Sequence, residues 1–398
     1  MDSQRKKIGF LLHGIFYGGA SRSFIQLIDK LYKTELFDIY VYTVSISSNQ
    51  VKNEILKRVK CIKKVRLNIV TANQAYTSNE NDLNKINKKD INYFIELIKK
   101  DQIDILHVNT TVFSHILNEV KLNTNIKIIV HIRELIPSDN VIGIKIIENI
   151  KNNANFIICI SENEEKNFID FQKREVIPNT VDFDEIDSVK KNTFRNLHKI
   201  NENIVIITMS SHLYKPKGHL LLLDAIKIFT DEYSNDNFLF VIVGAKLRFY
   251  YFKKYLKRLL KVEDYLTEIF DKIQELKLKK YVKVIPYTYN IYSIIRDSDI
   301  IVRPSLSLDP WGRDIIEGMA FGKPIIATGS SSYYIIPGVT GFLVEPDPKA
   351  LAEKIKLLVK NKQFSEALGN KGRERIEKIC NSDINIKKII NIYNELVL

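Results

Sequence analysis

The chain has 398 residues, of which 45% are hydrophobic and 27% are charged, and its formal net charge is +13 at pH 7. This composition is that of a folded globular protein, and the length favours two domains over one. The sequence contains no apolar run near the ~18 residues that a membrane-spanning helix needs. The opening MDSQRKK leads into an apolar stretch too short for a signal peptide. We therefore expect a cytoplasmic protein.

Charge and cysteine content limit the partners. The basic excess is either a compositional bias or an attraction to phosphates, on a nucleotide or on an anionic membrane surface. Nucleic-acid binding is not expected, because the basic residues are spread out and form no base-reading module. The three cysteines, Cys61, Cys159 and Cys380, are far apart in the sequence and predict neither a disulfide framework nor a metal site.

The first half of the sequence alternates short β-branched runs with helical patterns. The runs predict strands at residues 7–12, 38–44, 103–108, 126–132 and 155–160. Apolar residues at helical spacing lie between them, at Ala20, Phe24, Leu27, Ile28 and Leu31, and at Ile91, Phe94, Ile95 and Ile98. This alternation is typical of βαβ units and predicts a parallel sheet.

The same pattern then restarts. Strands are predicted at residues 204–209, 238–243, 282–286, 300–304 and 324–328, with helices at 219–230 and 314–321. The polar segment 176–194 contains a Pro-Asn turn signal, so we place the hinge at 178–184. The predicted domains are residues 1–182 and 183–382. An amphipathic helix at 383–398 is expected to pack back onto the first domain.

In open parallel sheets, ligands bind beyond the carboxyl ends of the strands, where helix N-termini offer free N–H groups. The predicted fold class is therefore α/β, with two doubly wound parallel-sheet domains that face a deep cleft. In such an arrangement one domain can hold a nucleotide while the other presents a second substrate.

Residues 305–328 contain two acids eight positions apart, Asp309 in a predicted loop and Glu317 on the following helix. A carboxylate on the helix can accept two hydrogen bonds from a ribose diol, and one in the loop can do the same for sugar hydroxyls. Free N–H groups at the helix start would face phosphate or sugar oxygens. The alternative is an ordinary helix with Asp309 in a turn and Glu317 on a solvated face.

This region and several others, taken in order, resemble the retaining glycosyltransferases of family 4 with the GT-B architecture. The motifs are Gly18-Gly19-Ala20, His131-Ile132-Arg133-Glu134, residues 177–182, Lys217-Gly218, the two acids, and residues 338–344. Each motif is weak alone, but their order and spacing are specific. The resemblance covers nearly the whole chain and implies two Rossmann-like domains.

For the donor side, the resemblance implies that Glu317 holds the nucleotide ribose and that Asp309 contacts donor-sugar hydroxyls and takes part in catalysis. The family usually has Glu where this chain has Asp309, so the carboxylate is retracted by roughly one methylene.

Lys217 matches the lysine that neutralises the donor diphosphate and is counted with the catalytic residues. His212 stands where the family usually has arginine, and a histidine is largely neutral at pH 7. The diphosphate would then depend on Lys217 with either Arg313 or Lys215. The implied donor-binding set is Gly19, His212, Lys217, Asp309, Gly312, Arg313 and Glu317.

In the first domain, His131 resembles the strand-end histidine that faces the donor sugar, which makes it the third catalytic candidate. The alternative is a core histidine with satisfied nitrogens. Glycine tolerates close approach of the backbone, so Gly18 and Gly19 are expected beside the donor phosphate or the acceptor. The expected acceptor-side set is Gly18, His107, Asn109, Arg133 and Glu134.

The resemblance implies transfer with retention of anomeric configuration, on one face of the sugar and without a protein nucleophile. The leaving phosphate would help to deprotonate the acceptor, and the protein would position and stabilise charge. The expected donor is a nucleotide-sugar, UDP rather than GDP, with no further cofactor and no metal required. The expected acceptor is a glycan or a lipid-linked molecule, in the biosynthesis of a cell-surface polysaccharide or glycan.

Two basic stretches, residues 51–66 and 246–261, combine Lys and Arg with apolar or aromatic residues. As amphipathic helices they would allow loose association with the inner face of the membrane. The alternative is a surface helix with its apolar face packed inward.

Two other function classes fit parts of the sequence. The first is a degenerate binding subunit that supports an active partner, which the departures at Asp309 and His212 favour. The second, a nucleotide-dependent oxidoreductase, lacks the G-x-G-x-x-G pattern.

Overall fold

The protein is described by a computed structural model that covers residues 5–71, 87–233, 237–245, 265–307 and 312–397. It divides into two compact units. The N-terminal unit is Met1–Thr180 together with Ser382–Leu398, and the C-terminal unit is Val181–Asn381. Each is built on one parallel sheet, which confirms the predicted fold class of two α/β domains.

The sheet of the N-terminal unit has seven parallel strands in the order β3-β2-β1-β4-β5-β6-β7. The strand order reverses between β1 and β4, and such a switch point opens a crevice at the carboxyl edge of a sheet. The strands are β1 Lys6–Leu12, β2 Phe37–Thr43, β3 Cys61–Lys64, β4 Ile105–Val108, β5 Lys127–Ile132, β6 Phe156–Cys159 and β7 Arg174–Val176.

Helices cover both faces of this sheet. They are Gly19–Lys33, Asn49–Leu56, Lys88–Lys100, Leu117–Asn123, Val141–Asn153, Glu162–Glu165 and Ser382–Val397, with 3₁₀ turns at Thr111–Ile116 and Lys166–Phe168. Side chains cap several helix starts; Asn140, for example, accepts a hydrogen bond from the Gly143 N–H at 2.7 Å.

The helix Ser382–Val397, here called the C-terminal helix, belongs to the N-terminal unit although it follows the whole C-terminal unit in sequence. Its apolar face joins the core formed by β1, β4, β5 and the helix Gly19–Lys33. Polar contacts hold its start, since Lys30 pairs with Asp383 at 2.9 Å. The helix therefore completes one face of the N-terminal sheet.

The C-terminal unit has six parallel strands in the order β10-β9-β8-β11-β12-β13, with the switch point between β8 and β11. The strands are β8 Val205–Ser210, β9 Phe238–Ala245, β10 Val282–Pro286, β11 Ile300–Arg303, β12 Ile325–Thr328 and β13 Gly341–Val344. The helices are Phe183–Ser188, Thr193–His198, His219–Glu232, Tyr265–Glu275, Ile291–Asp297, Arg313–Ala320, Pro348–Lys360 and Lys362–Ile379, with a 3₁₀ turn at Lys215–Lys217.

The expectation of a single amphipathic helix over residues 51–66 is wrong. The helix Asn49–Leu56 ends inside that stretch, and after a turn the chain forms the edge strand β3. Two lysines in the CIKK strand lowered its apolar signal. Residues 246–261 lie outside the described residues. Among the described helices, none is both long enough and apolar enough to cross a membrane.

One glycine fixes the entry to the helix His219–Glu232. Gly218 has a φ of +76°, and a Cβ at this position would lie 1.7 Å from the carbonyl oxygen of Pro304. The same loop is tied to the end of β11, because Leu306 N–H donates to the Pro216 carbonyl at 2.8 Å. The left-handed φ and the close approach both require glycine.

Replacement of this glycine tests the constraint. Gly218→Ala should lower the free energy of unfolding by about 3 kcal/mol, from backbone strain together with the clash. Gly338→Ala is the matched control, since Gly338 has a φ of +75° and nothing within 4 Å of its virtual Cβ. The control should cost only about 1 kcal/mol of backbone strain. Equal costs in urea unfolding would show that the approach to Pro304 is not limiting.

Candidate functional site

Two histidines lie at the ends of adjacent strands in the N-terminal unit. His107 is in β4 and His131 is in β5, and both are buried. Each follows an isoleucine by two positions, in ILH and IVH, so strand alternation puts both on the sheet face covered by the C-terminal helix. His107 Nε2 lies 3.2 Å from His131 Nδ1, and His107 Nδ1 lies 2.7 Å from the Tyr393 hydroxyl.

Arg133 follows β5 and joins these groups. Its Nε donates to Asn109 Oδ1 at 3.0 Å, one terminal nitrogen donates to Asn179, and the other lies 3.3 Å from His131 Nδ1. In contrast, His131 Nε2 is buried and has no hydrogen-bond partner among the described residues. The expectation of a fully satisfied core histidine is therefore met at one ring nitrogen only.

Glu134 is engaged by the end of β4. Its carboxylate accepts from Thr110 Oγ1 at 2.7 Å and from Thr111 through both N–H and Oγ1. Glu134 also acts on His13, which follows β1. Burial lowers the pKa of His13, and the nearby carboxylate partly opposes that shift. No motif in the sequence singles out His13.

Burial governs the protonation of the two strand histidines. Burial, with a smaller contribution from Arg133, lowers the pKa of His107 to about 3. Burial, Arg133 and His107 together hold the pKa of His131 well below its usual value. Both imidazoles are therefore neutral at pH 7. A neutral imidazole is one donor and one acceptor, so either ring can hydrogen-bond a substrate without carrying charge.

The glycine pair expected near the ligand lies at the start of a helix. Gly18 is the residue before the helix Gly19–Lys33, and Phe16 N–H donates to Ser21 Oγ at 3.3 Å across the turn. Gly18, Asn109, Arg133 and Glu134 thus follow β1, β4 and β5 at the carboxyl edge of one sheet.

In the C-terminal unit, buried ion pairs hold the start of the helix Arg313–Ala320. Arg313 Nε donates to Glu317 Oε1 at 2.6 Å, and the two side chains are 7% and 3% exposed. The alternative of Glu317 on a solvated face is therefore wrong. Arg303 pairs with Asp314 at 2.8 Å, with both side chains 9% exposed.

The position of Gly312 depends on this second pair. A Cβ at residue 312 would lie 2.7 Å from Asp314 Oδ1 and 2.8 Å from a terminal nitrogen of Arg303. Because glycine has no Cβ, it leaves enough space for the Arg303–Asp314 ion pair. Neither ion pair was predicted from the sequence.

Arg313 is a buried partner of Glu317. Burial alone would lower its pKa, but Glu317 and Tyr292 raise the pKa above its ordinary value. The Arg313 guanidinium is thus charged and forms a buried ion pair with Glu317 in the C-terminal unit. Asp309, the other predicted acid, lies outside the described residues.

The remaining predicted cations lie after β8. Lys217 ends the 3₁₀ turn, with its Nζ 5.6 Å from the Tyr214 ring centroid. Lys215 pairs with Glu268 at 3.2 Å. His212 is exposed and stacks on Tyr287, with ring centroids 6.1 Å apart. Lys217 is therefore the candidate cation nearest the Gly218 turn.

His219 was missed by sequence analysis. It is fully buried at the first turn of the helix His219–Glu232, and its Nε2 lies 3.1 Å from Ser211 Oγ. Burial, with a smaller contribution from Lys217, lowers its pKa to about 3. Its apolar helix neighbours gave no signal that could separate it from a core residue. Over the described residues, no group of three or more His, Cys, Asp or Glu could hold a metal ion.

Comparison with protein families matches each half of the chain. Residues 17–185 match the family described as Glycosyltransferase Family 4, and residues 190–375 match Glycosyl transferases group 1. The two matches fall on the two units and include the polar carboxyl edge of each sheet.

Among curated proteins, the chain is similar to the capsular polysaccharide biosynthesis glycosyltransferase CapM of Staphylococcus aureus. The identity is 26% over 200 residues, which is 50% of this chain and 48% of CapM. The trehalose synthase of Pyrococcus horikoshii is 34% identical over 103 residues, which is 25% of this chain and 24% of that protein. The alignments thus span about half or less of these relatives.

Solved structures match over nearly the full length. Anabaena HepE in complex with UDP and glucose has a TM-score of 0.78 at 17% identity, covering 98% of this chain and 100% of HepE. The sucrose-phosphate synthase of Thermosynechococcus elongatus has a TM-score of 0.75 at 18% identity, covering 98% and 99%. The Staphylococcus aureus protein TarM, in a complex that includes UDP, has a TM-score of 0.71 at 14% identity, covering 98% and 100%. At these identities the likeness shows the fold.

The buried His219 predicts a pH dependence of stability. The pKa of His219 is about 3 in the folded state and about 6.5 in the unfolded state. Between these pH values the imidazole is therefore protonated only in the unfolded chain. This stabilisation is complete above pH 6.5 and is lost as the pH falls towards 3. The stability difference between wild type and His219→Gln should shrink by roughly 2 kcal/mol from pH 7 to pH 5. Urea unfolding of both proteins measures it, and a constant difference would mean that folded His219 accepts a proton.

Proposed function

We propose that this protein, a glycosyltransferase of the group 1 type with the GT-B fold, transfers a sugar from a UDP-sugar to a glycan or lipid-linked acceptor with retention of configuration. The observation that carries the proposal is the pair of family matches, one on each unit. The HepE structures contain UDP with glucose, or UDP-glucose, and a TarM complex contains UDP, which supports a UDP-sugar donor. The similarity to CapM supports a role in cell-surface polysaccharide or glycan biosynthesis.

In this proposal the C-terminal unit holds the donor. Glu317 accepts hydrogen bonds from the ribose hydroxyls. Arg313 Nε donates to Glu317 Oε1 at 2.6 Å and so holds the carboxylate in place. Arg313 therefore supports Glu317, and the diphosphate depends on Lys217 and on the N–H groups at the start of the helix Arg313–Ala320. Because the Arg303–Asp314 ion pair stabilises the first turn of this helix, its N–H groups are already in position before the donor binds.

The proposed reaction needs no protein nucleophile. The bond between the anomeric carbon and the diphosphate oxygen breaks, and its electron pair leaves with the nucleoside diphosphate. The acceptor hydroxyl oxygen bonds to the same face of the anomeric carbon, and its proton passes to the leaving phosphate. Lys217 stabilises the negative charge that develops, and the N-terminal unit holds the acceptor. The anomeric configuration of the transferred sugar tests retention.

The cellular location of the enzyme belongs to the same proposal. The net charge of +13 favours loose association of a cytoplasmic enzyme with an anionic membrane surface that carries lipid-linked acceptors. Co-sedimentation at low salt should then be stronger with anionic than with neutral liposomes, and salt should release the protein. Equal sedimentation with both would remove the membrane from the proposal.

Nucleotide binding tests the donor site. UDP at ~100 times its dissociation constant should stabilise the folded protein by ~2.7 kcal/mol, and GDP, ADP, dTDP and CMP should stabilise it less. Glu317→Gln keeps the shape of the side chain and removes its charge, and the loss of charged hydrogen bonds should weaken UDP binding about 10-fold to 100-fold. Thermal unfolding with increasing UDP measures both effects.

Glu366→Gln is the matched control, because Glu366 also pairs with a cation four residues away but is 63% exposed. It should bind UDP like the wild type. UDP binding that survives Glu317→Gln unchanged would contradict the ribose contact. No stabilisation by any of the nucleotides would instead favour the degenerate binding subunit.

A further inference from the structure

The ring nitrogens of His131 are in different situations. Nδ1 lies 3.2 Å from Nε2 of His107 and 3.3 Å from a terminal nitrogen of Arg133. Nε2 is buried, and within the described part of the chain it has no hydrogen-bond partner. Buried polar atoms are nearly always hydrogen-bonded. Nε2 is therefore an atom at which a ligand can bind, and its chemistry depends on which nitrogen carries the proton.

Arg133 decides the position of that proton. A guanidinium has N–H donors and no acceptor, so its contact with His131 requires a lone pair on Nδ1. Asn109 and Asn179 accept from the other guanidinium nitrogens and hold the group in this orientation. His131 is neutral, because burial first and Arg133 next lower its pKa. A neutral imidazole with its lone pair on Nδ1 has its proton on Nε2.

The hydrogen-bond directions continue as far as the C-terminal helix. Because His131 Nδ1 accepts, His107 Nε2 must donate to it. His107 is neutral as well, so its Nδ1 accepts, and the Tyr393 hydroxyl at 2.7 Å must donate. Burial raises the pKa of Tyr393, so the hydroxyl keeps its proton. The hydrogen bonds run in one direction, from Tyr393 through His107 to His131.

We propose that Arg133 sets the direction of this chain, so that His131 presents an Nε2–H donor to an oxygen atom of the bound substrate. Arg133, His107 and Tyr393 act through His131 and are positioning residues. A hydroxyl or phosphate oxygen fits the site because it can accept the hydrogen bond, whereas a group that only donates cannot. The identity of the substrate rests on the proposed sugar transfer, but the protonation pattern does not.

The pattern can be read directly from the free protein. Selective ¹⁵N labelling of histidine distinguishes the Nε2–H form, the Nδ1–H form and the imidazolium in NMR spectra. The signals of His131 are assigned by their loss in His131→Gln. We expect the neutral Nε2–H form between pH 6 and pH 8. A dominant Nδ1–H form or imidazolium would overturn the proposal.

Variants separate the role of Arg133 from general packing. In Arg133→Met the chain can reverse, because the Tyr393 hydroxyl can also accept, so a detectable Nδ1–H form of His131 should appear. Adding Tyr393→Phe should restore the Nε2–H form, because reversal would then leave a buried N–H on His107 without an acceptor. An unchanged spectrum in Arg133→Met would overturn the assignment of direction to Arg133.

Arg174→Met is the control, since Arg174 is also in the N-terminal unit but pairs with Glu165 at 2.9 Å. It should leave the His131 signals unchanged. If Arg133→Met does not fold, Tyr393→Phe alone still tests the proposal. Arg133 and the loss of the Tyr393 acceptor then both favour the Nε2–H form of His131, so a gain of the Nδ1–H form would contradict the direction of the hydrogen bonds.

Transfer kinetics test the contact with substrate. With UDP-glucose as donor probe, His131→Met should lower kcat about 10²-fold with little change in KM. His131→Gln, which keeps an N–H donor, should recover part of that loss. Wild-type kcat in both variants would overturn the contact. Absence of transfer by the wild type, together with the expected spectra, would count against the proposed function and leave the protonation pattern standing.

Discussion

All strands of a parallel sheet end at the same edge, and that edge has to be completed by loops and helix starts. Both units of this protein are built under that constraint, and each has one point where the strand order reverses. The polar residues that follow β1, β4 and β5 in the N-terminal unit, and β8 and β11 in the C-terminal unit, are brought together by this geometry. Residues as distant in sequence as His107 and His131 therefore become neighbours.

The carboxyl edges of the two sheets stabilise their buried polar groups in different ways. At its carboxyl edge the C-terminal unit keeps its charges and pairs two buried arginines with carboxylates, Arg303 with Asp314 and Arg313 with Glu317. Removing one member of such a pair is expensive, which makes the helix start rigid. The N-terminal unit instead keeps its histidines neutral, since burial holds the pKa of both rings low. One edge is thus organised by charge, and the other by the direction of hydrogen bonds.

Sequence patterns predicted the long central strands to within one or two residues, because β-branched runs bounded by turns are strong signals. Three of the four edge strands, β3, β7 and β13, were missed, since runs of only three or four residues are too short to be told from a loop. Motif order placed His131, Arg133 and Glu134 at one edge. Their partners could not be predicted, because Tyr393 reaches His107 from 286 positions away and no periodicity encodes that contact. The pairing of Arg313 with Glu317 is local, four positions along one helix, but the expectation that Arg313 lies at a phosphate did not include it.

The C-terminal helix has a consequence for how the protein is made. Its apolar face completes a core whose other members lie in the first 180 residues, yet the whole C-terminal unit, Val181–Asn381, is synthesised in between. At roughly 5–20 residues per second, the N-terminal sheet waits on the order of 10 s or more on the ribosome with one face only partly covered. The later unit can therefore finish folding while the earlier one is still open. Tyr393, the side chain that orients His107, is therefore synthesised only after the whole C-terminal unit.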